Sequence, residues 1–500
     1  MRWEIDWLHN RARLTPNKEA IIHAENGHSW TYKQLNDRAN HLKNWLVHKG
    51  VKKGDRVALL APNHISYFDF LTACSKLGAI FVPLNWRLAI EEINYILEDC
   101  TPVLLGYHTD LVNIVKELSF LNKTICVNDS HFEKIVSSAE DVNDSVHGEE
   151  HDPLALIYTG GTTGKPKGAV LSHRSIIWNG INTIVSWNLT ERDTTLTYMP
   201  MFHTGGLNAL SIPLLMTGGK VVIADQFDPY KAMIYLNQYQ CTIVLFVPTM
   251  YHLITQTEVF EQTNFPTVKA FLSGGAPCPY EIYAHFQRKG LAFKEGYGLT
   301  EAGPNNFYID PVDAMRKKGS IGKPMMFNGI KLVNEHGGET SSNEVGELLI
   351  IGKHSFEYYW NNKEDTENTI RNGWIYTGDL ARRDEEGYYY IVGRKKDMII
   401  SGGENIYPLE VEHWLSSHPK VNEAAVIGMP NDKWGEIVTA FIVQIDDENV
   451  TEEELKSYCE KKLGKYKIPK RFIFLEELPK THVGKIDKNK LKKMGTVFSN

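Results

Sequence analysis

The chain has 500 residues and a formal net charge of −7, with 54 Lys and Arg against 61 Asp and Glu. That balance removes whole-molecule attraction to nucleic acid or to an anionic membrane surface. Six cysteines (Cys74, Cys100, Cys126, Cys241, Cys278, Cys459) lie scattered with no Cys-x-x-Cys pair, which excludes a disulfide frame or zinc site and fits reduced thiols of a cytoplasmic protein. The length allows roughly two to four domains. Met1 to Asp6 has no apolar core of the kind a signal peptide needs, and no apolar run is long enough to cross a bilayer.

In chain order, Leu35, Ala39, Leu42 and Leu46 recur at helical spacing, and Gly50 and Gly54 close that helix. Arg56 to Ala61 reads as a buried strand ended by Pro62-Asn63. A helix with Tyr67, Phe70, Leu71, Cys74 and Leu77 facing inward follows, then the strand Ala79 to Pro83. This is βαβ grammar, hence a mostly parallel sheet covered by helices. Residues 128–152 are polar and acidic without clear period and are expected to form a surface excursion.

The stretch Tyr158-Thr159-Gly160-Gly161-Thr162-Thr163-Gly164-Lys165-Pro166-Lys167-Gly168 comes next, between the apolar runs Leu154 to Ile157 and Ala169 to Leu171. Glycines let a backbone bend around an anion and turn N–H groups toward it, while threonine hydroxyls and lysines add donors and charge. The spacing is not that of a Walker A loop, because three residues separate Gly160 from Gly164 and Pro166 follows Lys165. The plainer alternative is a Gly-rich surface turn.

Strands are expected again at Lys220 to Ala224, Cys241 to Val247 and Val268 to Leu272, the last running into Ser273-Gly274-Gly275-Ala276-Pro277. From 319 to 393 closely spaced glycines separate short strands, which suggests a small β-rich, barrel-like module. After Gly393 a separate domain is expected. It has a helix from Glu410 to Leu415, strands at Glu423–Gly428 and Ile437–Val443, a helix from Glu452 to Leu463 and a Lys-rich tail.

Further motifs follow the Gly/Thr stretch. They are Pro200-Met201-Phe202-His203, Gly296-Tyr297-Gly298-Leu299-Thr300-Glu301, Trp374 to Asp379, Gly393-Arg394-Lys395-Lys396-Asp397, Ser401-Gly402-Gly403-Glu404 and Pro479 to Lys485. Each is weakly diagnostic alone. In this order and over essentially the whole chain they resemble the adenylate-forming superfamily, in its acyl-CoA synthetase or acid–CoA ligase branch. One departure is Gly161, where that family usually has Ser.

The resemblance implies an α/β fold. A large N-terminal domain (1–394) would hold two doubly wound sheets plus the β-barrel-like module (319–393), and a small mobile α+β C-terminal domain (395–500) would turn on a hinge at Lys396. It implies ATP, Mg²⁺ and coenzyme A as partners of a small carboxylic acid, and a monomer or homodimer. The acid would attack the α-phosphorus of ATP, and a thiol would then displace AMP. Because the substrate carboxylate is the nucleophile, no catalytic Ser or Cys is required, and positioning and charge stabilisation do most of the work.

By the same resemblance, Thr159, Gly160, Gly161, Thr162, Thr163, Gly164 and Lys165 would hold the phosphates. Glu301 would bind Mg²⁺, Thr300 the α-phosphate, and Lys485 would offset charge as the phosphorus becomes pentavalent. Asp379 would take the ribose hydroxyls with help from Arg394. Gly274, Gly275 and Ala276 would lie against adenine, with Gly296, Tyr297 and Gly298 on the other side. His203 would orient the acid, in a pocket lined by Phe202, Thr204, Asn208, Ala302 and Gly303, and Gly402 and Gly403 would line the entry for pantetheine. Taken singly, Glu301 could be a helix-start carboxylate, Asp379 part of a Gly-Asp turn, His203 a structural histidine and Lys485 a solvated surface lysine; Lys480, Lys488 and Lys490 are read as surface residues. A fatty acid is the first expectation for the substrate. The alternatives are an aryl acid (cinnamate-like or o-succinylbenzoate), a stand-alone adenylation enzyme loading a carrier protein, a luciferase-like oxygenase, and a binding module without catalysis.

Overall fold

The computed structural model describes residues 5–120, 122–138, 148–160, 165–445, 448–481 and 485–497. The helix Tyr32–His48 begins on a capping box, in which Thr31 accepts from the Gln34 N–H and Gln34 returns a bond to the Thr31 N–H. Its apolar positions Leu35, Ala39, Leu42 and Leu46 are buried. The strand Arg56–Leu60, the helix Ser66–Leu77 and the strand Ile80–Pro83 complete the βαβ unit, with the two strands parallel.

The helix Ser66–Leu77 differs from the one-faced helix that its sequence suggests, since every one of its residues is buried. Two charges go inside with it, and each has a partner. Asp69 accepts from Arg38 at 2.7 Å, and Lys76 reaches Asp6 at 2.6 Å. Unpaired, either charge would be strongly destabilising there.

Strands build a seven-stranded sheet in the order Tyr358–Tyr359, Lys167–Ser172, Pro153–Thr159, Ile80–Pro83, Arg56–Leu60, Leu104–Tyr107, Lys123–Cys126. From Pro153–Thr159 to the far edge the strands are parallel, whereas Lys167–Ser172 is antiparallel to both of its neighbours. A second layer joins the four strands Ser29–Thr31, Glu19–His23, Lys220–Ile223 and Thr194–Thr197 to the three parallel strands Ile243–Phe246, Ala270–Ser273 and Phe293–Glu295. The bridge between these groups is the Thr242 N–H donating to Thr194 O at 2.8 Å. The largest apolar cluster draws on both layers, including Val57 and Phe81 from one and Ile21 and Val221 from the other.

The glycine-punctuated region forms a five-stranded antiparallel sheet centred on Trp374–Arg383. Its neighbour Tyr358–Tyr359 leaves that module and pairs with Lys167–Ser172 instead. Residues from Ile399 onward make a sheet of Glu404–Ile406, Ile399–Ser401, Gly435–Gln444, Val421–Asn431 and Arg471–Phe474. The helices Pro408–Ser416 and Glu452–Glu460 supply apolar residues to one of its clusters, and Leu491 of Lys488–Val497 belongs to another.

Two expectations are corrected. Within 128–152, residues Ser130–Val136 form a helix capped by Asp129, whose side chain accepts from the Phe132 N–H at 2.8 Å. Phe132 is buried and stacks on Phe70, and Glu133 binds Arg38 at 2.8 Å. Seven residues with Phe132 and Val136 one turn apart are too few to establish a period; residues 139–147 lie outside the described residues. In the Lys-rich tail, Lys488 is no free surface cation. It pairs with Glu412 at 2.7 Å and donates to Val426 O, fastening the last helix to its sheet.

Candidate active site

The Gly/Thr stretch joins the antiparallel strands Pro153–Thr159 and Lys167–Ser172, with Thr159 opposite Lys167. The stretch follows a strand and leads into a strand, so the phosphate attraction expected of it would come from backbone N–H groups, hydroxyls and lysines and not from a helix dipole. Gly160 is exposed, with nothing within 4 Å of where a Cβ would stand. Lys165 lies over the Tyr95 ring, and Lys167 pairs with Asp365 at 2.6 Å. Gly161, Thr162, Thr163 and Gly164 lie outside the described residues.

Beside this hairpin stands the turn that carries Thr300 and Glu301. The Leu299 N–H donates to Gly303 O at 3.1 Å and the Asn306 N–H to Tyr297 O at 3.0 Å. A Cβ on Gly298 would lie 2.1 Å from Pro304 O, so only glycine permits this closure. Glu301 Oε1 accepts from Tyr359 Oη at 2.7 Å and from Thr159 Oγ1 at 3.4 Å. The pairing of Tyr358–Tyr359 with Lys167–Ser172 is therefore what sets a phenol on this carboxylate.

Asp379 is buried on the long strand Trp374–Arg383, directly opposite Arg394. Arg394 Nε lies 2.6 Å from its Oδ1, and Tyr297 Oη donates to its Oδ2 at 2.5 Å. Burial raises the Asp379 pKa, and Arg394 and Tyr297 oppose that rise. Tyr297 thus reaches the carboxylate with its hydroxyl, a contact its motif does not announce, while its ring meets Phe307 edge-on. Gly274 to Ala276 follow the strand Ala270–Ser273, and the Gly296 N–H donates to Ser273 O at 2.8 Å, so the two proposed adenine walls are tied together.

Lys485 reaches this cluster from the small C-terminal lobe. Its backbone is tied to Thr481, whose N–H donates to Lys485 O at 2.7 Å and whose Oγ1 accepts from the Lys485 N–H at 3.2 Å. The residue as a whole is exposed, yet its ammonium end lies close enough to Asp379, Glu301 and Arg394 to interact with all three. Its pKa is lowered by desolvation first and by Arg394 second, against the pull of the two carboxylates. His203 also feels Lys485; burial first, then that lysine, hold its pKa down to about 4. Nδ1 of His203 accepts from the Gly205 N–H at 3.1 Å, which leaves Nε2 as the protonated nitrogen of a neutral ring.

Phe202, Thr204, Asn208 and Ala302 are buried next to His203 and Glu301 in the chain. Gly402 and Gly403 are not brought to the cluster. The Gly402 N–H donates to Trp434 O at 2.9 Å and both glycines sit on the small lobe's own hairpin. Lys396 is exposed in the single turn Lys395–Asp397, while its neighbour Lys395 pairs with Glu347 at 2.7 Å. Sequence reasoning missed Tyr359, whose only signal was a Tyr-Tyr-Trp run without a motif, and the tilted ring contact of Tyr280 with His413 of the small lobe at 5.0 Å.

A lysine from one lobe meeting a tied Asp–Arg pair and a Tyr-held glutamate beside a Gly/Thr hairpin defines a nucleotide-handling enzyme. The model of the AMP-binding enzyme family matches residues 8–360, and that of the AMP-binding enzyme C-terminal domain matches residues 410–485. A feruloyl-CoA synthase of Amycolatopsis sp is 37% identical over 487 residues, covering 97% of this chain and 98% of that protein. A long-chain-fatty-acid–CoA ligase of Mycobacterium tuberculosis is 35% identical, covering 98% of each. The structure of an o-succinylbenzoate coenzyme A synthetase from Bacillus subtilis in complex with ATP and magnesium ion superposes with a TM-score of 0.88 at 32% identity, covering 97% of this chain and 99% of that one. The chain belongs to the AMP-binding enzyme family, in the acid–CoA ligase branch of the adenylate-forming superfamily. It is an AMP-forming acid–thiol ligase. Among the described residues no helix is long and apolar enough to cross a membrane.

Proposed function

We propose that this ligase activates a carboxylic acid with the residues named above and passes it to coenzyme A by a swing of the small lobe. The observation that carries the reading is Lys485, an ammonium brought across the lobe boundary to the two carboxylates Asp379 and Glu301. In the first half-reaction the acid's carboxylate oxygen bonds to the α-phosphorus of ATP, and the bond from that phosphorus to the bridging oxygen of pyrophosphate breaks. The neutral His203, with its proton on Nε2, donates to the acid and orients it. Lys485 neutralises charge on the phosphoryl oxygens, and the hairpin at Thr159–Lys165 receives the pyrophosphate. Glu301 with the Thr159 hydroxyl is a set of hard oxygen donors that fits Mg²⁺, which would neutralise phosphate charge there. Asp379, already fixed by Arg394 and Tyr297, offers oxygens to the ribose hydroxyls.

In the second half-reaction the thiol of coenzyme A attacks the acyl carbon and the bond to the AMP oxygen breaks. For that we propose that residues after Arg394 turn as a unit about Lys396, withdrawing Lys485 and bringing Gly402 and Gly403 to the site. Two features support it. Among the described residues the apolar clusters from Ile399 onward include none of the large lobe, and the connection is a single turn with Lys396 exposed.

Fatty acids and aryl acids both belong to this branch. The buried carboxamides around Asn208 favour an acid with a polar substituent, as argued below. Acid-dependent pyrophosphate release, measured over a panel of aliphatic and aromatic acids with and without coenzyme A, tests the reading. Release of pyrophosphate and AMP with formation of a CoA thioester is expected for at least one acid. A chain that releases pyrophosphate but forms thioester only on a holo-carrier protein would overturn the assignment of coenzyme A.

A further inference from the structure

Two segments flank the catalytic cluster, one running from His203 to Asn208 and the other from Thr300 to Gly303. Asn179, on the helix His173–Trp187, bridges them from behind. Its Nδ2 donates to Asn208 O at 2.6 Å. A backbone carbonyl can only accept, so the orientation of this carboxamide is fixed by chemistry, and its oxygen is the atom left over. That oxygen lies 3.4 Å from where a Cβ on Gly303 would stand. It has no hydrogen-bond partner among the described residues, although Asn179 is 3% exposed. Asn208, 2% exposed, also has an unpartnered Oδ1, with its Nδ2 3.0 Å from Thr204 Oγ1; that hydroxyl can donate or accept, so only the Asn179 carboxamide is oriented by its partner.

The neighbouring carboxamides Asn305 and Asn306 are satisfied, while Ser355 Oγ is, like the two oxygens, without a partner. Asn305 Nδ2 donates to Thr183 Oγ1 at 3.0 Å and to Ala209 O at 2.7 Å. Asn306 Nδ2 donates to Gly303 O at 2.9 Å, which leaves its Oδ1 to accept from His354 Nε2 at 2.9 Å. Burial holds the His354 pKa down to about 4, so that imidazole is neutral and its Nε2 proton is committed. No described residue donates a hydrogen bond to either of the two carboxamide oxygens. A buried acceptor left unmet is destabilising, a penalty that a ligand supplying a donor would lift.

We propose that Asn179 Oδ1, together with Asn208 Oδ1, accepts a hydrogen bond from a neutral donor on the acid substrate. The chain then selects acids that carry a hydroxyl or N–H away from the reacting carboxylate. Unsubstituted alkyl or aryl acids leave the oxygens unmet, and dicarboxylates place negative charge against them. The inference rests on reading the space between His203–Asn208 and Ala302–Gly303 as the acid pocket. It goes beyond that reading by naming the group that the pocket recognises.

The test compares kcat/KM for CoA-thioester formation with 3-hydroxycinnamate and 4-hydroxycinnamate against cinnamate, with 10-hydroxydecanoate against decanoate, and with sebacate as the dicarboxylate. In the native chain at least one hydroxylated acid is expected to exceed its parent by about tenfold or more. Asn179→Leu should bring that pair within about twofold while retaining activity on the parent acid. Asn179→Gln, which keeps an amide that can both donate to Asn208 O and accept from the acid, controls for a Leu variant that fails to fold and should keep the preference over the parent. Efficient turnover of cinnamate or decanoate with no preference in any pair would mean that water already satisfies the two oxygens. That result overturns the inference and leaves the ligase reading standing. Absence of acid-dependent pyrophosphate release from every acid overturns both. A preference that survives Asn179→Leu removes Asn179 as its source.

Discussion

The hydroxyl of Tyr359 donates to Glu301 Oε1 at 2.7 Å, across 58 residues of sequence. The same oxygen faces the Thr159 hydroxyl, so phenol and hydroxyl together set the direction of the carboxylate proposed to hold the cation. Burial first, then the Glu301 charge, raise the Tyr359 pKa, so the phenol keeps its proton and remains a donor at any working pH.

Tyr359→Phe removes that donor and almost no volume. A hydrogen bond to a charged group contributes about 1.5–3 kcal/mol, so kcat/KM for Mg-ATP in pyrophosphate exchange should fall by roughly tenfold or more. Thermal unfolding should shift little. An unchanged dependence on magnesium concentration would show that Tyr359 does not orient Glu301.

Lys485→Ala removes the ammonium that faces Asp379 and Glu301. Loss of one electrostatic contact made in a phosphoryl transition state typically costs about 10²- to 10³-fold. Acid-dependent pyrophosphate exchange should drop by that factor, while thioester formation from a supplied acyl-adenylate and coenzyme A should persist. Normal exchange in this variant would remove the role from Lys485.

Lys396→Pro fixes φ at the turn Lys395–Asp397 and restricts the residue before it. If the small lobe turns there, pyrophosphate exchange should survive and thioester formation should fall by at least about tenfold. Equal loss of both half-reactions would locate the rotation elsewhere or indicate misfolding, which circular dichroism separates.

Glu295 is buried beside the proposed adenine walls, accepting from Tyr283 Oη at 2.6 Å and from the Cys278 N–H at 3.2 Å. Burial raises its pKa from 4.5 to about 7, against the pull of those two bonds. For an acid with a raised folded pKa, the native state binds the proton more tightly than the unfolded chain. Stability is therefore greatest below about pH 4.5 as far as this group is concerned, and its contribution is lost as pH rises toward 7. The fall amounts to about 3 kcal/mol over that interval. Urea unfolding at pH 5 and pH 8 should show a smaller difference in Glu295→Gln than in the native chain. An identical difference would mean that another group governs this limb.

Local patterns alone determined much of this protein. Period and punctuation placed the helix Tyr32–His48, the strands Arg56–Leu60, Lys220–Ile223 and Ala270–Ser273, and the order of motifs that marks the ligase branch. Those features are short-range, because apolar spacing, caps and glycine turns act within a few residues. Tertiary structure decided what distance along the chain conceals. It buried the whole of Ser66–Leu77 by supplying Arg38 and Asp6 as partners for Asp69 and Lys76. It brought Tyr359 to Glu301 by pairing Tyr358–Tyr359 with Lys167–Ser172, and it fixed the Asn179 carboxamide by its bond to Asn208 O. Which polar atoms find partners and which go without depends on packing between remote segments, and no window along a sequence contains that information.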